Sequence, residues 1–164
     1  MVRIAGAIRE SIVDGAGLRF TLFTQGCVHN CKGCHNKQTH DLNGGYLSTQ
    51  EKIIDEFNKN PLLAGITFSG GEPILQAEEL IPIAKAVCDT GRNCWIYSGY
   101  TFDELIKMEN SAVKELLSYC DFLVDGKYVE ELRDLTLTFR GSKNQRIINL
   151  KKSLENGIAY VEEM

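Results

Sequence analysis

The sequence contains no apolar run that approaches the roughly 20 consecutive residues needed to cross a bilayer. Its first residues also lack the long apolar core of a secretory signal peptide. These absences predict a cytoplasmic protein with no membrane partner. Because the cytoplasm is reducing, the six cysteines of the chain are not expected to form three disulfide bridges.

A basic stripe of the kind that binds nucleic acid is missing as well. The chain carries 18 basic and 22 acidic residues, for a net charge of −4, so we expect no nucleic-acid partner. Basic residues concentrate only at Lys151 and Lys152 and between Arg140 and Arg146. A solvated face is the simpler interpretation of this concentration, and a docking surface for an acidic partner is the alternative.

Internal repeats and low-complexity segments are absent, and a length of 164 residues predicts one domain covering 1–164. That length is too short to close a (β/α)8 barrel, which takes about 250 residues. Predicted strands and helices alternate along the chain, which is typical of βα units with a mainly parallel sheet. We therefore expect an α/β fold, a partial open (β/α) barrel of five or six mainly parallel strands.

Short apolar runs bounded by turn residues place the predicted strands at 19–24, 63–68, 94–97, 122–124, 145–149 and 158–161. Ser48 and Thr101 are each followed three residues later by a glutamate, a capping-box pattern that predicts two helix starts. The polar segment 127–144 is expected to be a loop with one helical turn. Ligands of parallel sheets bind at the carboxyl ends of the strands, so the segments after the first four strands should form one site.

The first of these segments carries three closely spaced cysteines, Cys27, Cys31 and Cys34, in a C-x3-C-x2-C pattern. Thiolates are the ligands of iron–sulfur clusters and of structural zinc. Three cysteines on a four-iron cluster would leave one iron without a protein ligand. A zinc site completed by His35 or His40 is the alternative, although zinc modules usually show two C-x2-C pairs. The spacing favours the cluster.

The remaining cysteines, Cys88, Cys94 and Cys120, lack motif spacing and lie beside apolar residues. Free buried cysteine is a common core residue, and we predict that role for all three.

The second segment is the run Ser-Gly-Gly-Glu-Pro at 69–73, which follows the predicted strand 63–68. The adjacent glycines Gly70 and Gly71 lack Cβ atoms, so the backbone there can approach a ligand closely. Glu72 is expected either to fix the turn or to hold a donor group of the ligand. A purely structural turn is the alternative.

Together, the cysteine loop and the glycine-rich turn resemble the motifs of the radical S-adenosylmethionine superfamily. The resemblance implies that the three cysteines ligate one 4Fe–4S cluster and that its fourth iron binds the amino and carboxylate groups of S-adenosylmethionine. It also implies that Gly70, Gly71 and Glu72 contact the amino group. A reduced cluster would then cleave the cofactor into methionine and a 5′-deoxyadenosyl radical. No separate catalytic side chain is implied.

The flanking residues narrow the resemblance to the activating enzymes of glycyl radical enzymes. Residues 13–19 and 25–27 are similar to the signature VDGPG[IL]R…QGC, with Ala16 in place of the usual proline. Gly33 replaces the usual aromatic residue before the third cysteine, and the run FRGSKNQR occupies 139–146. Both features resemble the branch that acts on the anaerobic (class III) ribonucleoside-triphosphate reductase. That reductase is the implied partner, and a flavodoxin-like protein is the implied electron donor.

The same resemblance suggests further contacts with S-adenosylmethionine. Gly33 and His35 flank Cys34, where family members contact adenine, so all three are expected to bind the cofactor. Ser98 is expected to reach the ribose or to serve only as a turn residue. Asp125 lies where related enzymes place an acidic residue near the cofactor, and a capping role at a strand end is its alternative.

Three questions stay open from the sequence alone. Arg19 has two possible positions, paired with a carboxylate in the site or on the exposed side of its strand. The partner has an alternative, since pyruvate formate-lyase activating enzymes share the chemistry, although they resemble longer chains. A non-catalytic zinc-binding module is the alternative from a different functional class.

Overall fold

One mixed β-sheet runs through the computed structural model, which describes residues 1–34 and 36–164. Within the described residues its eight strands are β1 (Val2–Ser11), β2 (Arg19–Thr24), β3 (Tyr46–Ser48), β4 (Gly65–Gly70), β5 (Asn93–Ser98), β6 (Phe122–Asp125), β7 (Arg146–Asn149) and β8 (Val161–Glu162). Their spatial order is β3-β1-β2-β4-β5-β6-β7-β8. The strand order ends at β3 and β8, so the sheet is open.

Helices lie between successive strands from β3 onward in the described part of the chain. The α-helices among them are α1 (Gln50–Asn58), α2 (Ala77–Asp89), α3 (Phe102–Lys107), α4 (Ser111–Tyr119) and α5 (Leu150–Asn156). Short 3-10 turns occupy Lys37–Thr39, Pro73–Gln76 and Glu130–Leu132, and the last of these is the helical turn expected within 127–144. Among the described residues, no helix is both long and apolar enough to span a bilayer.

The α/β class is confirmed, but the expected count of five or six mainly parallel strands is wrong. Strands β2, β4, β5 and β6 pair in parallel, whereas the flanking strands pair antiparallel. The antiparallel strands β1 and β3 were not expected, because β3 is only three residues long and β1 turns exposed halfway along. The strand order confirms an open sheet and does not by itself make a barrel.

The hydrophobic core lies between the sheet and its helices. Phe68 and Ile96 point from the central strands toward Leu80 of α2 and Leu116 of α4, and all four are fully buried. Alternate residues of the same strands face the opposite side, where Trp95 packs in a second, smaller cluster. That second face is covered by connecting segments rather than by helices, which leaves room for a cavity.

Local sequence rules predict one helix start correctly and miss the other by one residue. The capping box of Thr101 and Glu104 is present at α3. At α1 the cap is Thr49, whose hydroxyl accepts a hydrogen bond from the backbone of Lys52, and Ser48 instead ends β3. The two adjacent hydroxyl residues compete for the same role, and strand pairing decides between them.

Candidate functional site

The loops that follow the four parallel strands border one cavity of about 510 Å³. From those loops its lining includes Cys27, Cys31, Cys34, Gly70, Gly71, Ser98, Gly99 and Gly126. The volume lies within the range of about 300–1,000 Å³ that is usual for small-molecule sites. The fold therefore brings the cysteine loop and the glycine-rich turn to the same place at the carboxyl ends of the strands.

The three thiols on this cavity wall have the chemistry of cluster ligands. Burial raises the pKa of Cys27 and of Cys31 above that of an ordinary thiol. Because metal binding requires thiolates, loading of a cluster would release protons from these side chains. The thiol of Cys34 additionally accepts a contact of 3.5 Å from the backbone N–H of Asn36.

The described residues contain no group of three His, Cys, Asp or Glu side chains arranged to hold a single metal ion. A structural zinc ion needs four ligands about 2.0–2.3 Å from one point. A cubane cluster instead takes each thiolate on a separate iron, so its ligands stand apart around a cavity. Three thiols that line one cavity are the donor type that an iron–sulfur cluster uses.

Backbone hydrogen bonds fasten the glycine-rich turn to the start of the cysteine loop. The N–H of Glu72 donates to the carbonyl of Gly26 at 2.7 Å, and the N–H of Gly71 donates to Thr24 at 2.9 Å. A side chain at Gly71 would overlap the carbonyl oxygens of Gly26 and Thr39. Glycine is thus required for the two segments to meet, which places Gly71 against Gly26, the residue that precedes Cys27.

The carboxylate of Glu72 is fully buried below the cavity and serves as a hub of hydrogen bonds. Its Oε1 accepts from the Ser98 hydroxyl at 2.9 Å and from the Gly99 N–H at 2.8 Å. His29 Nε2 lies 2.6 Å from the same oxygen, and the Ile74 N–H donates to Oε2 at 3.0 Å. One carboxylate therefore joins the cysteine loop to the segment after β5.

The contact of His29 with Glu72 is not predicted by the sequence. The ring packs edge-on against Tyr100, with centroids 4.6 Å apart. Gly99 permits this approach, because a Cβ at that position would overlap the His29 ring. The motif spacing places His29 between two cysteines, but only the fold brings it to Glu72.

Asp125 is also buried and does not line the cavity. Its carboxylate accepts two hydrogen bonds from the Arg146 guanidinium, at 3.0 and 2.6 Å, and one from the Phe102 N–H at 2.8 Å. The bond to Asp125 raises the pKa of Arg146. Asp125 thereby caps the start of α3 and anchors β7, the strand that begins at the last residue of the FRGSKNQR run.

Several residues of that run also line the cavity, namely Phe139, Arg140, Gly141 and Gln145. Gln145 Oε1 accepts from the N–H groups of Gly141 and Ser142, and Gln145 Nε2 donates to the Gly126 carbonyl at 3.1 Å. Asn144 reaches the Lys127 carbonyl at 2.7 Å. The polar residues of the run had no predicted individual roles, and in the structure Asn144 and Gln145 hold the segment after β6 in place.

Gly33 and His35 are the two remaining residues of the expected site. Gly33 does not line the cavity, and the Glu130 side chain lies where a Cβ at Gly33 would be. Lys32, beside it, forms an exposed ion pair of 3.8 Å with Glu130. His35 lies outside the described residues.

Arg19 occupies neither of its expected positions, because it is fully buried on the cavity side of the sheet. Its guanidinium donates to the Thr67 hydroxyl at 2.8 Å, to the Ile66 carbonyl at 2.8 Å and to the Ala16 carbonyl at 2.9 Å. Burial lowers the pKa of Arg19 to about 10, so the group stays charged at neutral pH. It ties the loop 12–17, which borders the cavity, to the central strands.

We predict that Glu72→Ala lowers the free energy of unfolding by about 3–5 kcal/mol, because it leaves buried donors without an acceptor. Urea denaturation under anaerobic conditions measures the loss. The matched control is Glu78→Ala on the exposed face of α2, which should change stability by less than about 0.5 kcal/mol. Equal stability of the two variants would show that the carboxylate hub does not hold the site together.

A family model and several named relatives each match most of this chain. The family described as "4Fe-4S single cluster domain" matches residues 13–148. The anaerobic ribonucleoside-triphosphate reductase-activating protein of Salmonella typhi is 40% identical over 149 residues, covering 85% of this chain and 94% of that protein. The protein of the same name from Escherichia coli K12 is 38% identical, and the alignment covers 85% of this chain and 94% of that protein. The protein of the same name from phage T4 is 32% identical, and the alignment covers 82% of this chain and 86% of that protein.

Among solved structures, the crystal structure of QueE from Escherichia coli aligns with a TM-score of 0.49 at 15% identity. The alignment covers 76% of this chain and 70% of that chain.

Proposed function

The chain belongs to the family of anaerobic ribonucleoside-triphosphate reductase-activating proteins and carries a 4Fe–4S single cluster domain, and from this premise we propose that it generates the glycyl radical of that reductase. The single observation that carries the proposal is the meeting of three thiols and the glycine-rich turn on one cavity. A cytoplasmic location and a flavodoxin-like electron donor complete the proposal.

Cys27, Cys31 and Cys34 would hold the cluster, and S-adenosylmethionine would occupy the rest of the cavity. When bound, the reduced cluster supplies the electron that cleaves S-adenosylmethionine to methionine and an adenosyl radical, which takes a hydrogen atom from a glycine of the reductase. The protein itself needs no acid or base for this chemistry. Its residues orient the cofactor and keep water away from the reacting atoms.

The backbone of Gly70 and Gly71 is proposed to contact the amino group of S-adenosylmethionine, because both residues line the cavity beside the cysteines. Glu72 acts with them, and the geometry supports its role of fixing the turn, since its carboxylate is buried and bonded to donors of the chain. A turn held this firmly presents its backbone groups in one orientation, which lowers the entropy cost of binding.

The other proposed contacts rest on position in the loops. Ser98 lines the cavity, and its hydroxyl donates to Glu72 and accepts from the Tyr100 N–H. A ribose hydroxyl would therefore donate to the remaining lone pair of the Ser98 oxygen. Cys34, with Gly33 and His35 beside it, is proposed to border the adenine. Asp125 is proposed to act from below the cavity, where it fixes Arg146 and the wall formed by residues 139–145.

The proposed function is tested by incubating the anaerobically prepared, reduced protein with S-adenosylmethionine and the anaerobic ribonucleotide reductase. Electron paramagnetic resonance should then show a glycyl radical on the reductase, and the signal should be absent without S-adenosylmethionine. Cleavage of S-adenosylmethionine without a radical on the reductase would contradict the assigned partner, and pyruvate formate-lyase is the substitute to try. Absence of both would contradict the chemistry and favour the zinc-binding alternative.

A further inference from the structure

Three large apolar residues at the border of the cavity are exposed to solvent. Ile12 and Val13, in the loop that follows β1, are 74% and 68% exposed, and Leu135, in the segment that follows β6, is 79% exposed. All three line the same cavity as the three thiols, although the two segments lie far apart in sequence. Single exposed apolar residues are ordinary on a surface, whereas apolar residues that gather at one cavity are typical of a binding surface. We call these three residues the apolar rim.

The loop that carries Ile12 and Val13 is fastened to the sheet. The Asp14 carboxylate accepts a hydrogen bond of 2.6 Å from the Ser11 hydroxyl. The Asp14 carbonyl accepts a second bond, of 2.7 Å, from the Thr67 hydroxyl of β4. The two apolar side chains are therefore presented by an anchored loop and not by a loose stretch of chain.

The segment that carries Leu135 is a loop closed at its base. The N–H of Asp134 donates to the Gly141 carbonyl at 3.2 Å, which joins the two ends of the loop. The Tyr97 hydroxyl of β5 donates to the Phe139 carbonyl at 2.7 Å and fixes the loop to the sheet. Two anchored loops thus hold large apolar side chains in water. Because both loops are already ordered, a partner that covers the rim does not have to order them on binding.

The chemistry of the proposed function, on which this inference rests, indicates which molecule comes to the rim. The adenosyl radical would form inside a cavity of about 510 Å³, which has room for a small molecule but not for a folded protein. A glycine of the reductase can therefore reach the radical only on an extended segment that crosses the border of the cavity. Since glycine has no side chain, the residues beside it must make the contacts with that border.

We propose that the apolar rim is the docking surface for the glycine-bearing segment of the reductase, and that apolar side chains next to that glycine pack on Ile12, Val13 and Leu135. Large apolar side chains that become buried at the centre of a contact supply most of its binding free energy. The rim thus binds the protein substrate, whereas the thiols and the glycine-rich turn serve the cluster and S-adenosylmethionine.

A charge placed on the rim tests the proposal. Ile12→Asp and Leu135→Asp should each weaken the binding of the reductase to the anaerobically prepared, cluster-loaded protein about tenfold or more, because docking would bury an unpaired carboxylate. The matched control is Leu62→Asp, since Leu62 is 80% exposed and does not line the cavity. Its affinity for the reductase, measured by biolayer interferometry, should stay within about twofold of the wild-type value. Rim variants that bind as tightly as the control would overturn the proposal.

Hydrogen exchange of the wild-type protein gives a second measurement, which does not depend on the folding of any variant. Addition of the reductase should slow the exchange of backbone amides at 11–14 and 134–139 and should leave those at 62–64 unchanged. Unchanged exchange in both rim segments would overturn the docking surface.

The outcomes separate the docking surface from the proposed function. A wild-type protein that generates the glycyl radical, together with rim variants that bind like the control, would keep the function and refute the rim. A wild-type protein that neither binds the reductase nor generates the radical would refute both.

Discussion

Cys31→Ala is expected to abolish the cleavage of S-adenosylmethionine and to remove most of the bound iron. The cavity presents three thiols from one loop, and loss of any one leaves two ligands for a cluster that requires three. Neighbouring side chains are poor replacements for the lost Cys31 thiol. His29, the histidine of the same loop, is held against Glu72.

Iron content and methionine release, measured on anaerobically prepared protein, check this expectation. Cys88→Ala is the matched control, because it removes a half-buried thiol at the far end of the sheet and should leave both quantities unchanged. If Cys31→Ala retained cleavage at the wild-type rate, the assignment of this thiol as a ligand would be wrong.

Arg19→Met is expected to lower the free energy of unfolding by about 3–5 kcal/mol, the range typical for breaking a buried charged network. The substitution keeps the apolar stem but removes donors to the Ala16, Ile66 and Asn93 carbonyls. It also removes the contact of the guanidinium with the Trp95 ring, 5.7 Å from its centroid. No other cation among the described residues donates to these carbonyls.

Denaturant unfolding measures the loss of stability, and two further variants serve as controls. Arg19→Lys keeps the charge but cannot reproduce a planar fork of donors, so its stability should fall between those of the wild type and Arg19→Met. Arg9→Met removes an arginine that is 75% exposed in its ion pair with Glu56 and should cost less than about 1 kcal/mol. An Arg19→Met protein as stable as Arg9→Met would refute the anchoring role of Arg19.

The arrangement of the central strands could be predicted because each parallel strand is a short apolar run followed by a turn and a helix. Strand 19–24 was expected with the bounds that β2 has, and the segments after β4, β5 and β6 were expected at one edge. Strand β1 escaped prediction because its second half is exposed, and β3 because its pairing joins residues more than 40 positions apart, such as Val2 with Ser48. Local patterns carry no signal for such contacts.

The site was predictable in its backbone motifs and much less so in its side-chain partners. Spacing alone singles out the three cysteines and the adjacent glycines. Glu72 and Asp125 were identified as residues of interest, yet their partners His29 and Arg146 lie 43 and 21 residues away in sequence. A buried carboxylate must find donors wherever the fold supplies them, so its contacts follow from tertiary structure rather than from the motif.

The central claim is that one iron of a three-thiolate cluster in this cavity binds the amino group of S-adenosylmethionine. Electron–nuclear double resonance on the reduced protein, with S-adenosylmethionine labelled with nitrogen-15 at its amino group, measures that contact directly. A cluster signal coupled to the labelled nitrogen is the predicted result. A cluster that shows no such coupling, or a colourless protein that holds zinc, would contradict the account.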